Sequence, residues 1–172
     1  MAGLPGTGKS AIAAELEKRL HALLLNKDEI RAQLFPREAI NFSREQDDLC
    51  MEVIFVMAKY LLRTNPEQTI IIDGRTFSRS YQVEHLLSRA ELLKVKPAII
   101  ECICDDIVAR QRIEHDLRAG VHPAGNRTYS LYQELKEKAE PIRAGRLVID
   151  TGKEPLEKSL ERCMAYLEML GG

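Results

Sequence analysis

The residues most able to do chemistry stand at the very start of the chain. Gly3-Leu4-Pro5-Gly6-Thr7-Gly8-Lys9-Ser10 satisfies G-x-x-x-x-G-K-[ST] at every fixed position. Glycines at this spacing let the backbone fold tightly enough for successive N–H groups to converge on an anion. A helix starting near Lys9 would point its free N–H groups and positive dipole end at the same anion. Lys9 is expected to reach the β- and γ-phosphates of a nucleotide, Ser10 to bind Mg²⁺, and Ala11 to extend the cradle. The same residues would also suit a plain glycine-rich turn, but Ser10 to Leu20 is a strong helix former, as the chemistry requires.

Three further positions could act beside this loop. Asp28 and Arg31 lie one helical turn apart, after the apolar stretch Ala22–Leu25. A carboxylate there could take the proton of an attacking hydroxyl while the arginine orients it. The spacing alone also suits a helix cap and a surface arginine. Asp73 ends Thr69-Ile70-Ile71-Ile72, where it could hold Mg²⁺ through water or merely close a turn. Arg112, Arg118 and Arg127, with Gly120, His122 and Gly125, read as a mobile lid over about 113–127 that brings arginines onto a transferring phosphoryl group. Of these, Arg112 and Arg118 are expected to act.

The elements that must position these groups alternate. Strands are expected at Ala22–Leu25, Thr69–Asp73, Pro97–Cys104 and Arg146–Asp150. Helices are expected between them, at Arg44–Arg63, Arg79–Leu93, Asp105–Asp116, Tyr129–Ala139 and Pro155–Leu170. On the long helix, Leu49, Val53, Val56, Met57, Tyr60 and Leu61 follow a three-four rhythm and are expected to be its buried face. Continuously apolar strands imply a parallel sheet covered on both faces. Ligands then bind at the carboxyl ends of the strands, which selects the loop at 3–10, Asp28, Asp73, Asp105 and Thr151.

Composition sets limits. The chain has 172 residues and a formal net charge of −1, which suits one globular domain over 1–172. No Lys/Arg run offers a nucleic-acid surface, and no apolar run approaches a membrane span or signal peptide. Cys50, Cys102, Cys104 and Cys163 lack scaffold or metal spacing and read as core residues in a reducing cytoplasm.

The chain resembles the P-loop kinase family that includes adenylylsulfate kinases, polynucleotide 5′-hydroxyl kinases and zeta-toxin-like small-molecule kinases. The likeness rests on GLPGTGKS, Asn26-Lys-Asp28-Glu-Ile-Arg31, Phe42-Ser43, Ile71-Ile-Asp73-Gly-Arg-Thr-Phe-Ser, Asp105 to Arg112, and Val148-Ile-Asp-Thr151. It implies a three-layer α/β/α P-loop fold with a parallel sheet of about five strands. Only Met1 and Ala2 precede the loop, so the first strand is expected to be truncated. The resemblance further implies ATP with Mg²⁺, Asp28 as base, Arg31 as the acceptor-orienting group, and Thr151 near adenine. Adenylylsulfate kinases carry Arg and Asn just after Phe-Ser, whereas Asp47, Asp48 and Glu52 lie here. Such an acidic face would repel anions. A neutral or cationic small-molecule hydroxyl acceptor is therefore expected. The alternatives are a polynucleotide 5′-hydroxyl kinase, a nucleotide-dependent switch without an acceptor, and a truncated product that binds nucleotide poorly.

Overall fold

The computed structural model describes residues 1–120 and 126–171. Four strands, β1 (Leu23–Asn26), β2 (Ile70–Asp73), β3 (Ile100–Ile103) and β4 (Leu147–Asp150), form two parallel pairs, β1 with β2 and β3 with β4. Met1 and Ala2 lie between the pairs. The Ala2 N–H donates to the Ile100 carbonyl at 2.8 Å and the Cys102 N–H to the Ala2 carbonyl at 2.9 Å. The Met1 amine donates to the Ile72 carbonyl at 2.8 Å. Met1 and Ala2 thus link β2 to β3 through backbone hydrogen bonds, and the four strands with this bridge make up the sheet.

Side chains alternate across each strand, and each face meets helices. On one face Ile71, Ile100, Cys102 and Ile149 pack with Ile12 and Leu16 of α1 (Lys9–Leu20) and Leu160 and Cys163 of α7 (Leu156–Gly171). On the other, Leu25, Ile70, Ile72 and Ile99 pack against Met51, Ile54, Phe55 and Ala58 of α3 (Arg44–Thr64) and Val83 of α4 (Ser80–Leu93). The result is a three-layer α/β/α fold. The four cysteines are free thiols, three of them buried in this packing.

Two expectations need correction. The inner face of α3 is Cys50, Met51, Ile54, Phe55 and Ala58, while Leu49, Val56, Met57 and Tyr60 are exposed. Apolar residues encircle this helix, so periodicity could not say which side the sheet would take. The second concerns the lid. α5 (Asp106–Ala119) carries the helix three residues past the expected end at Asp116. Gly120, at φ 61°, then closes it in the left-handed conformation common at helix ends. His122 and Gly125 fall outside the described residues. Chain order continues through α6 (Tyr129–Glu137) to β4.

Candidate functional site

The loop before α1 is shaped by its glycines. Gly3 has φ +126°, and a Cβ there would stand 2.2 Å from the Cys102 carbonyl oxygen, so only glycine fits against β3. Gly8, at φ 80°, is the N-cap of α1, and no side chain caps it. No acidic residue occupies the first turn either, so the helix end keeps its free N–H groups and positive dipole for a ligand. They open on a cavity of about 470 Å³, whose lining includes Gly6, Gly8, Lys9, Ser10, Ala11, Arg112, Arg127 and Thr151. The Lys9 Nζ donates to the Leu4 carbonyl at 2.7 Å. Burial pulls its pKa down to about 8.

Below this cavity, Asp73 ends β2 and is fully buried. Its Oδ2 accepts from the Ser10 hydroxyl at 2.7 Å and from the Asn26 amide at 3.4 Å. Its Oδ1 is buried without a hydrogen-bond partner among the described residues. An orphaned carboxylate oxygen beside a hydroxyl fits a hard divalent cation or its water, because an unpaired buried acceptor is costly to leave unmet.

A second constellation lies at the end of β1. The Asn26 side chain caps α2 (Lys27–Leu34), accepting from the N–H groups of Asp28 and Glu29. Asn26, not Asp28, is therefore the cap, and the Asp28 carboxylate is free for other partners. Its Oδ1 accepts from Arg31 at 2.7 Å and lies 3.3 Å from the Lys27 Nζ. Its Oδ2 has no hydrogen bond among the described residues. Asp47, on α3, receives Lys27 at 2.8 Å and is ion-paired with Arg31. Burial raises the Asp28 carboxyl, but Lys27, Arg31 and Arg127 outweigh it and hold it below the usual carboxylate range. Burial also brings Lys27 down to about 8. Phe42 holds a φ of 54°, sparsely populated for a residue with a side chain, and sets its ring 5.1 Å from the Arg31 guanidinium. These groups surround a pocket of about 130 Å³ that is also lined by Thr76, Asn126 and Arg127.

The expected residues divide in three. Gly6, Gly8, Lys9, Ser10, Ala11, Arg112 and Thr151 meet at the larger cavity, Pro5 lines the smaller one, and Gly3, Leu4 and Thr7 shape the loop without lining either. Arg112 ties the larger cavity together, donating to the Thr151 hydroxyl at 2.8 Å, the Thr151 carbonyl at 2.9 Å and the Gly6 carbonyl at 3.3 Å. Asp28 and Arg31 meet at the smaller pocket. Arg118 reaches neither: it is exposed, with its Nε on the Glu114 carbonyl at 3.1 Å. Arg127 is the arginine that lines both cavities.

The expected acidic face is also altered. Besides Asp47, Asp48 is ion-paired with Arg75, and Glu52 meets Arg89 at 2.7 Å and His85 at 3.0 Å. Each carboxylate has a basic partner, so the face does not present bare negative charge. Lys27 and the positioning of Asp47 were missed because their pairing depends on residues 20 apart in sequence. For Asn26, a signal existed: an Asn at a strand end, two residues before the next helix's first carboxylate, is a cap pattern.

Comparison with known proteins follows this geometry. A family model described as "AAA domain" matches residues 1–128. The chain is 30% identical to a probable bifunctional SAT/APS kinase 2 of Sorangium cellulosum, over 98% of its own length. It spans 28% of that relative's length. Among solved structures, it superposes on a putative kinase from Chloroflexus aurantiacus with a TM-score of 0.73 at 19% identity, covering 96% of this chain and 95% of that one. A gluconokinase from Sinorhizobium meliloti gives 0.70 at 17%, with 98% and 90% covered. An APS kinase from Mycobacterium tuberculosis, solved with AMPPNP and APS, gives 0.69 at 15%, with 97% and 94% covered. At these identities the structural likeness establishes a shared fold.

Proposed function

The chain belongs to the AAA-domain family that its first 128 residues match, on the fold of P-loop kinases, and from that premise we propose that it transfers the γ-phosphoryl of ATP to a hydroxyl of a small neutral molecule. The observation that carries this reading is Arg127, which lines both the loop cavity and the Asp28 pocket. A cation shared by two adjoining cavities is where a phosphoryl group would pass between them.

In this reading the backbone N–H groups of 3–10 and Lys9 grip the β- and γ-phosphates. Ser10 and Asp73 would hold Mg²⁺, which when bound neutralises phosphate charge. Asp28 aligns the acceptor hydroxyl through Oδ2 and takes its proton as the bond from γ-phosphorus to the acceptor oxygen forms and the bond to ADP breaks. A carboxylate held below its usual pKa is a weak base. That suits a loose transition state, in which positioning and charge stabilisation matter more than early proton removal. Arg31 fixes Asp28, and Arg112 with Thr151 borders the end of the cavity assigned to adenine.

Charge balance supports a neutral acceptor. With Arg127 turned to the phosphates, Lys27 and Arg31 offset Asp28 and Asp47. The pocket's small volume also favours a compact polyol over a polynucleotide end, since drug-sized sites span roughly 300–1,000 Å³. The test is ADP release from Mg·ATP across neutral sugars and polyols, an amino alcohol, adenylylsulfate and a 5′-hydroxyl oligonucleotide, with Lys9→Ala as control. Stimulation by neutral compounds in the wild type alone is expected. Stimulation by adenylylsulfate alone would overturn the acceptor class, and ATP binding with no stimulation by any hydroxyl would favour the switch.

A further inference from the structure

α3 is apolar on two opposite sides. Its inner side packs Met51, Ile54, Phe55 and Ala58 into the core. Its outer side carries Leu49, Val53, Val56 and Tyr60, spaced three or four apart, with Leu49 51%, Val56 67% and Tyr60 59% exposed. Scattered surface apolar residues are ordinary, but these form one stripe about 17 Å long at 1.5 Å per residue. A helix apolar on two sides belongs to an interior, yet Leu49, Val56 and Tyr60 stay exposed and Val53 is only half-buried.

The charges beside the stripe are polarised. Glu45 stands at its start, Lys59 and Arg63 towards its end, and none of the three makes an ion pair among the described residues. Glu45 and Arg63 are separated by about five helical turns and so lie on the same flank.

We propose that the outer face of α3 is covered by a second copy of this chain, packed antiparallel across a two-fold axis. The stripe is palindromic about a point between Val53 and Val56. Antiparallel packing sets Leu49 on the partner's Tyr60 and Val53 on the partner's Val56. It keeps each flank against itself while reversing its direction, so Glu45 meets the partner's Arg63, twice by symmetry. A parallel pair would set each flank against the partner's opposite flank, so Glu45 and Arg63 would lie on different sides of the contact and both would stay unpaired. A partner of other sequence would give no reason for this self-complementary order.

The test is the molar mass of the full chain by light scattering and sedimentation over a concentration series. A dimer is expected. Val56→Glu, placing two like charges at the symmetric centre, should raise the dimer dissociation constant about a hundredfold. Val56 is exposed, so the thermal unfolding of the separated chain should be retained. Arg63→Glu should weaken the dimer, and adding Glu45→Arg to it should restore association. The swap tests orientation as well as contact. A monomer at every concentration, a dimer indifferent to Val56→Glu, or a charge swap without rescue would each overturn the proposal.

Discussion

The two cavities that meet at Arg127 are built by opposite means. The phosphate-facing side of the loop cavity is largely backbone: glycine turns, an uncapped helix end and one lysine, arranged within eight consecutive residues. The Asp28 pocket is made of side chains neutralising one another: Lys27 and Arg31 against Asp28 and Asp47, brought from α2 and α3 and walled by Phe42. A backbone cradle binds what every ATP carries. A balanced side-chain network can be retuned one residue at a time. The shared nucleotide chemistry therefore belongs on the first side and acceptor choice on the second.

Removing the lysine should break the first side outright. Lys9→Ala should lower phosphoryl transfer by about a thousandfold or more, since it deletes the charge facing the transferring group. Steady-state ADP release, with ATP affinity measured separately, checks this. A variant retaining a tenth of its activity would remove Lys9 from the mechanism. Next in size, Asp28→Asn should cost about 10²- to 10⁴-fold in turnover, the range of a lost general base. ATP affinity should be almost unchanged. Equal losses in turnover and ATP affinity would mean that the two cavities are not separate in function.

The same contrast explains what the sequence revealed. Glycines 3, 6 and 8 need no tertiary contact to be read, because their chemistry lies in local backbone geometry. Asp73 was legible because it ends a long apolar strand. The partners of Asp28 were not, since nothing in Lys27 or Asp47 alone foretells that α3 will lay Asp47 over α2. Arg127 was included in the lid but passed over for Arg118, because the sequence alone does not show which lid arginine reaches the cavities. On α3 the period was correct and the face wrong, because two apolar sides give the same rhythm.

Arginine substitutions sharpen the boundary between the cavities. Arg127→Ala should reduce turnover by about ten- to a hundredfold with both substrates still bound, as expected for a group acting mainly on developing charge. Arg118→Ala should change it less than about twofold, because an exposed guanidinium on a main-chain carbonyl contributes little. The reverse order would return the lid role to Arg118. Asp47→Asn should act more gently, on selectivity. It leaves two cations facing Asp28 alone, so the preference for neutral over anionic acceptors should fall by about tenfold, read as a ratio of kcat/KM values.

The smallest effect concerns a fraction of one proton. Burial holds the Lys9 ammonium at about 8, well below 10.5. Phosphates drawn against Nζ favour the charged form and raise that value. Below about pH 7 the lysine is charged before and after binding, and no proton should move on its account. Between about pH 8 and 10 the free protein has lost much of this charge while the complex retains it, so ATP binding must take up protons there. Calorimetry of ATP binding at pH 8.5 in two buffers of different ionisation enthalpy measures the uptake, and Lys9→Met should abolish it. Uptake that persists in Lys9→Met but vanishes in Lys27→Met would assign the proton to the acceptor pocket instead. The two cavities would then be coupled through charge, and the division between a fixed nucleotide side and a tunable acceptor side would have to be drawn elsewhere.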